Sequence, residues 1–364
     1  MKKLRFAIIG CGRISYKHVE GLANNFEDSE LVAVCDIVAE LASKRAQDYD
    51  NLCGISPAIY TNYKDMLDQI PIDAVAIATE SGYHAEISIY CLNLGKHVLV
   101  EKPMALSTID AKRMILAAEK NRVKLAVCHQ NRFNPPIQQL RVAIEEKRFG
   151  KLVNATARIL WARDMGYYKQ APWRGTWDQD GGTLMNQCIH NIDLLQWMMG
   201  GEIDTVYAQT GNYIRDIDAE DFGAIIVRFK NKAIGIIEGT ACVYPNNLEE
   251  TLSIFGEKGT VCIGGIAVNK IETWQFADEL NSDSEVAATK EDDPDTVYGF
   301  GHIPLFKDFI NAIKMDKKPL ISGEDGMKAM QIILAAYKSQ KIGMPVTFDD
   351  LVFSTLEMKN TDIR

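Results

Sequence analysis

LRFAIIGCGRIS (residues 4–15) is the stretch that decides the fold. Leu4 to Ile9 is a short apolar run without alternation, the pattern of a strand buried on both faces. Gly10-Cys11-Gly12-Arg13-Ile14-Ser15 follows, fitting G-x-G-x-x-small, and a helical pattern opens from about residue 14 to 25. The two glycines permit a tight turn and the close approach of a diphosphate, and Ser15 can replace the third glycine. The N–H groups and positive dipole end of the helix would then meet the phosphates. Asp36 ends the next strand, LVAVCD (31–36), about 20 residues on, where a carboxylate would bond ribose hydroxyls. Gly10, Gly12, Arg13, Ile14 and Asp36 are therefore expected to bind a dinucleotide. No arginine follows Asp36 directly, which favours NAD, while Lys44 and Arg45 leave NADP open.

The pattern continues outward in the same style. Helices are expected over 38–49, 63–69, 84–94 and 107–122, and strands over 73–79, 97–101 and 124–130. Strands alternating with helices at this spacing predict a doubly wound parallel sheet of the Rossmann type, so residues 1–130 read as a dinucleotide-binding domain. After about residue 150 strand-like segments follow one another, at 151–162, 204–214, 222–230, 233–243, 248–256 and 259–264. AIIVRFKNKAIGIIEGT (224–240) reads as a hairpin turning at Asn231. Residues 131–364 are therefore expected to form an α+β domain with a large, mainly antiparallel open sheet. The polar, acidic stretch 278–297 reads as a surface loop, and helices at about 303–315 and 324–340 close the chain.

Composition narrows the class. The 364 residues can build two domains and a sizeable core. A hydrophobic share of 47% and a charged share of 24% are ordinary for a globular protein. The net charge of −9, without any basic run, argues against a nucleic-acid partner. The eight cysteines are scattered without a C-x-x-C pair and read as reduced core residues of a cytoplasmic protein. The apolar run at the start stops at Gly10 and Arg13, too short for a signal peptide, and no stretch approaches the ~20 residues that span a membrane. The six histidines and the carboxylates show no ligand spacing, so no metal is expected.

Four further segments line up. TESGYH (79–84), EKP (101–103) and QNRFNP (130–135) each lie at or just after a strand end, where ligands bind in open α/β sheets. GGTLMNQCIHNID (181–193) is the fourth. Together, E-K-P and the H-x-x-D segment resemble the Gfo/Idh/MocA oxidoreductases, and the resemblance runs over nearly the whole chain. It implies a Rossmann domain followed by an α/β domain whose open sheet often makes dimers or tetramers. It maps the family's catalytic lysine onto Lys102 and its histidine onto His190. Asp193 matches the acidic residue one helical turn on, whereas Asn186 and Cys188 stand where an aspartate and a glycine are usual. Thr79, His84, Glu101, Lys102, Gln130 and Arg132 are assigned to the cofactor side.

The chemistry agrees with that mapping. Oxidising a secondary alcohol with NAD requires a base for the hydroxyl proton. His190 is assigned as that base and Lys102 as the positioning and polarising group, with the reverse assignment the alternative. Glu101 also reads as a local cap or pair, Asp193 as a helix-orienting group, and His84 and His129 as structural. YYKQAPWRGTWDQDGGTLMNQCIHNIDLLQW (167–197) carries a sharper resemblance, to the family branch that oxidises C3 of UDP-linked N-acetylglucosaminuronate for surface polysaccharide. On that resemblance a nucleotide sugar would be met by Arg132, Arg163, Lys169 and Arg174, since arginine suits carboxylate and phosphate bidentately. Tyr167, Tyr168, Trp173 and Trp177 could stack on uracil or sugar, or pack in the core. The expected substrate set is Lys102, Arg163, Tyr168, Trp173, Arg174, Asn186 and His190. The alternatives are a dehydrogenase of the same family for myo-inositol or a free sugar, and a non-catalytic regulator that binds NAD and a sugar.

Overall fold

The computed structural model describes residues 2–278, 280, 283, 286, 299–349 and 351–363. The expected loop at 278–297 lies almost wholly outside them. The chain divides into two compact units, one of residues 1–105, 109–130 and 301–327, the other of 106–108, 131–300 and 328–364.

The first unit is a six-stranded sheet in the order β3-β2-β1-β4-β5-β6, with every pairing parallel. Its strands are β1 (Leu4–Ile9), β2 (Ser29–Cys35), β3 (Ala58–Tyr60), β4 (Ala74–Ile77), β5 (His97–Val100) and β6 (Leu125–Val127). The helices between them are α1 (Ser15–Asn24), α2 (Ala39–Cys53), α3 (Tyr63–Gln69), α4 (His84–Asn93) and α5 (Thr108–Asn121). The order reverses between β1 and β4, so the crevice beyond the carboxyl end of β1 is the switch point where such sheets bind ligands. Strand β3 was not expected, because three half-exposed edge residues carry no apolar run. Phe6, Ala7, Ile8, Val98, Leu99 and Val100 are fully buried, which is why these strands read as continuous apolar runs.

Residues 301–327 join this unit, although the sequence boundaries put them in the second domain. The reason is packing. Phe306, on the helix His302–Lys314, lies against Gly21 of α1, where a Cβ would come within 2.4 Å of its ring. The same ring meets His18 edge-on at 5.4 Å and Phe6 at 6.2 Å.

The second unit is an eight-stranded sheet in the order β13-β12-β11-β7-β10-β9-β8-β14. Here α6 (Pro135–Glu145) and β7 (Leu152–Leu160) come first, then α7 (Met165–Tyr168) and α8 (Ile189–Met198). The remaining strands are β8 (Ile203–Gly211), β9 (Phe222–Phe229), β10 (Ile234–Thr240), β11 (Glu249–Gly256), β12 (Gly259–Gly264), β13 (Lys270–Phe276) and β14 (Val346–Thr347). Among the described residues of this unit, only β7 and β10 pair in parallel. The β9–β10 hairpin turns at Asn231, whose Oδ1 accepts the Ala233 N–H at 2.9 Å. Along β9, Gly223, Ile225, Val227 and Phe229 are buried and Ala224, Ile226 and Arg228 exposed, the alternation of a sheet covered on one face. Helix α6 was not read from the sequence, yet its signals are there: proline at its first positions and Ile137, Leu140 and Ala143 buried along one side.

Among the described residues no helix is long and apolar enough to cross a membrane. All eight cysteines are thiols, five of them buried.

Candidate active site

The loop after β1 is shaped by backbone constraints. Gly10 has φ +91°, and a Cβ there would stand 2.5 Å from the Ala78 and Thr79 backbone. At Gly12 a Cβ would meet nothing within 4 Å, so open space faces the loop. The first turn of α1 has neither a side-chain cap nor an acidic residue, so no side chain competes with an anion at the positive end of its dipole. Asp36 Oδ2 accepts the Cys11 N–H at 2.7 Å and Oδ1 accepts the Val38 N–H at 2.8 Å, so the carboxylate braces the glycine loop from the end of β2. Arg13 is exposed and Ile14 half-buried beside it. Arg45 is turned to its own helix, its Nη1 3.1 Å from Asp48 Oδ2. A glycine cradle, an uncapped helix start and a carboxylate at the second strand end together fit a dinucleotide.

Thr79 and His84 flank a 3₁₀ turn, Ser81–Tyr83, after β4. The buried His84 ring lies with Nδ1 2.8 Å from the Pro103 carbonyl and Nε2 3.0 Å from the Thr79 carbonyl. Burial lowers its pKa despite these acceptors. The imidazole thus ties the TESGYH loop to the E-K-P turn from within.

Lys102 is the second residue beyond β5 and is half-buried. Its peptide bond to Pro103 is cis. The Glu101 carboxylate beside it is 6% exposed and turns inward. Its Oε1 lies 2.8 Å from His18 Nε2, and its Oε2 accepts the Lys102 N–H at 3.2 Å. Its side chain is thus taken up inside the protein, where the sequence assignment had it on the cofactor side. His302 Nε2 stands 3.8 Å from the same Oε1. These three side chains bring ligand-type atoms within 4.8 Å of one another, although no spacing in the sequence points to them. The direct His18–Glu101 contact makes the group a hydrogen-bonded cluster. Burial pushes the Glu101 carboxyl up, and His18 and His302 more than offset it, so it titrates well below the usual carboxylate range.

Gln130 and Arg132 lie in a 3₁₀ turn, Gln130–Phe133, after β6. In the second unit Arg132 is 1% exposed. Its Nε and Nη2 donate to the two oxygens of Asp193 at 2.7 and 2.6 Å, and its guanidinium stacks on Trp197 at 4.7 Å. Arg132 was expected on the cofactor side and near an anionic substrate. The fold commits the side chain instead to Asp193, which explains the acidic residue one turn after His190.

His190 is half-buried in the first turn of α8. A π-helical turn, Leu184–Cys188, leads straight into that helix and carries Asn186. Glycines in β9 and β10 allow the segment to sit close on the sheet. A Cβ at Gly223 would come within 2.6 Å of Leu184, at Gly239 within 2.6 Å of Cys188, and at Gly235 within 2.8 Å of Leu195.

Of the expected substrate residues of this unit, Arg163, Tyr168, Arg174 and Asn186 gather around Tyr167. Arg174 Nη1 donates to the Tyr167 hydroxyl at 2.6 Å, and Gln187 Nε2 donates to it at 2.8 Å. The Arg174 guanidinium lies 4.5 Å from the Tyr167 ring and 4.6 Å from Trp173, while Arg163 lies 4.6 Å from Trp161 and 5.3 Å from Tyr167. Asn186 donates to Asp180, and Asp180 Oδ2 accepts the Gly175 N–H at 2.8 Å. Glu250 is buried near Arg163, and burial raises its pKa to about 8, which keeps it neutral at neutral pH. Tyr168 is buried and Lys169 exposed. Trp177 is 3% exposed and packs edge-on against Tyr337 at 5.1 Å, so it belongs to the core. Gln187, Asp180, His18 and His302 were missed by sequence reasoning. Of these, His18 alone left a signal, as a polar residue three positions after Ser15 on the buried side of α1.

Comparison with known proteins places this arrangement. Residues 4–129 match the model of an oxidoreductase family with an NAD-binding Rossmann fold, and residues 137–262 match the GFO/IDH/MocA C-terminal domain. The chain belongs to the Gfo/Idh/MocA family. It is an NAD-dependent oxidoreductase acting on CH–OH groups of a small molecule. Among solved structures it is similar to the WlbA dehydrogenase from Bordetella pertussis in complex with NADH and UDP-GlcNAcA. That likeness has 37% identity and a TM-score of 0.86, covering 95% of this chain and 98% of the other. The WlbA dehydrogenase from Chromobacterium violaceum, in the same kind of complex, is 36% identical with a TM-score of 0.86, over 95% and 96% of the chains. Among curated proteins, the myo-inositol 2-dehydrogenase of Thermotoga maritima is 26% identical over 96% of this chain and all of its own.

Proposed function

We propose that this Gfo/Idh/MocA enzyme oxidises a secondary hydroxyl, at C3, of a UDP-linked N-acetylated sugar acid, in a step toward surface polysaccharide. The observation that carries the reading is the pair Arg163 and Arg174 around Tyr167, with the nearby Glu250 neutral. A neutral polyol offers two guanidinium groups only uncharged hydroxyl acceptors, whereas a uronate carboxylate and a diphosphate each give one a charge-assisted bidentate partner. Identity adds support: 37% to a dehydrogenase bound to UDP-GlcNAcA, against 26% to an inositol dehydrogenase.

Gly10, Gly12 and Asp36 hold the dinucleotide, which when bound supplies the hydride acceptor. His190 takes the hydroxyl proton, and Lys102 holds and polarises the oxygen that loses it. Arg174 and Arg163 fix the anionic groups, with Trp173 and Asn186 beside them. The open face of the second unit's sheet, with Ile226, Ile236 and Tyr207 exposed, suits self-association into a dimer or tetramer.

Single-turnover reduction of NAD tests the substrate. UDP-N-acetylglucosaminuronate, UDP-N-acetylglucosamine, myo-inositol and glucose are offered in turn. Reduction by the nucleotide uronate, with Arg174→Ala raising KM for it at least about tenfold, is the expected result, one lost ion pair with hydrogen bonds being worth that much. Reduction by myo-inositol alone would overturn it and favour the reading that the curated relatives suggest.

A further inference from the structure

We infer that the buried Glu101–His18 pair is a positioning device for Lys102, coupling the cofactor helix α1 to the strand end that carries the lysine. The inference rests on the proposed role of Lys102 in moving the substrate proton.

The geometry is direct. Glu101 accepts the Lys102 N–H through Oε2 at 3.2 Å and meets His18 through Oε1 at 2.8 Å. His18 lies one turn inside α1, whose first turn follows the Gly10–Gly12 loop. Its ring is held edge-on by Phe306 at 5.4 Å, so the imidazole has little room to swing away. One carboxylate therefore touches both the backbone of Lys102 and the helix whose N-terminus faces the cofactor phosphates.

A carboxylate this deep is costly without partners, and its retention beside a reactive lysine has an electrostatic consequence. The Glu101 anion faces His18 from α1, His302 from the helix His302–Lys314, the Cys128 thiol beyond β6, and His84 from α4, while Lys17 of α1 acts on His302. Burial and the Glu101 charge both push the Cys128 thiol up, and burial lowers the His302 pKa although Glu101 raises it. The Glu101 carboxylate, held by His18, is an anion that touches the Lys102 backbone itself. The pair thus fixes where Lys102 sits and how firmly it holds its proton.

Two variants of opposite sign test this in the full-length enzyme with NAD. Glu101→Gln keeps the shape and removes the charge. It should lower kcat by about 10–100-fold, the range of a misplaced proton-transfer group, and move the lysine ionisation seen in kcat/KM about one unit toward lower pH. His18→Leu takes away the direct partner of the carboxylate and should move the same ionisation toward higher pH. NADH affinity, read by fluorescence titration, should stay within about threefold in both, since the glycine loop is untouched. A wild-type pH profile in either folded variant overturns the inference. So does a parallel loss of NADH affinity and activity without a pH shift, because the pair would then only brace α1. Lys102→Ala, measured alongside, separates the two claims. Retained activity there would mean that the role of Lys102 itself is wrong.

Discussion

Arg132 follows a Rossmann strand by a few residues, a place where a cation would serve a dinucleotide phosphate or an anionic substrate. Its guanidinium lies instead at 1% exposure with both hydrogen-bonding edges on Asp193. Asp193 is fully buried and also accepts Gln196 Nε2 at 3.1 Å. Taking away the arginine removes the counter-charge of a buried carboxylate, and breaking such a pair typically costs about 3–5 kcal/mol. Arg132→Met should therefore lower the stability of the second unit by that order in urea unfolding. A loss under about 1 kcal/mol would show that water reaches Asp193 in the variant. Activity should fall as well, because Asp193 is one turn from His190 on α8.

At the scale of elements, the turn leading into α8 is built around a carboxyl group. Glu220 Oε1 accepts the Leu184 N–H at 2.8 Å and the Tyr337 hydroxyl at 3.0 Å. A Cβ at Gly182 would overlap Glu220 Oε2 at 1.6 Å, so only glycine lets the chain pass. Complete burial raises the Glu220 pKa to about 8. An unfolded glutamate titrates near 4.3. Between those values the folded chain keeps a proton that the unfolded chain releases. The contribution of Glu220 to stability is full below about pH 4.3 and is lost as pH rises toward 8. Glu220→Gln cannot titrate. Its advantage in melting temperature over the parent should widen from pH 5 to pH 9 and then level off. A constant offset across that range would mean that Glu220 is ionised in the folded state.

At the scale of the whole molecule, an eight-stranded sheet covered on one face is the second unit's largest feature. On the other face Tyr207, Ile226 and Ile236 lie side by side across β8, β9 and β10, exposed at 36%, 49% and 45%. A row of that kind on paired central strands favours burial against a like surface. The proposed assembly is tested by sedimentation velocity. The parent chain should sediment as a dimer or tetramer, and Ile226→Glu with Ile236→Glu should shift it to monomer. A monomeric parent at micromolar concentration would refute self-association.

The sequence alone determined the Rossmann unit and most of its element boundaries, because parallel strands buried on both faces leave uninterrupted apolar runs. It singled out Gly10, Gly12 and Asp36 as the candidate dinucleotide site, since a turn as tight as the one at Gly10 admits few residue types. It also determined the antiparallel texture of the second unit, through alternation along strands such as β9. Only the tertiary structure decided what the charged residues do. Arg132, Glu101 and His84 look from their positions like cofactor ligands, and each is turned inward by a partner distant in sequence: Asp193, His18 and the Pro103 carbonyl. Likewise, nothing local places His302 beside Glu101 or residues 301–327 with the first unit. Periodicity reports which face of an element is buried. The partner of a buried charge is set by long-range packing, and no local pattern records it.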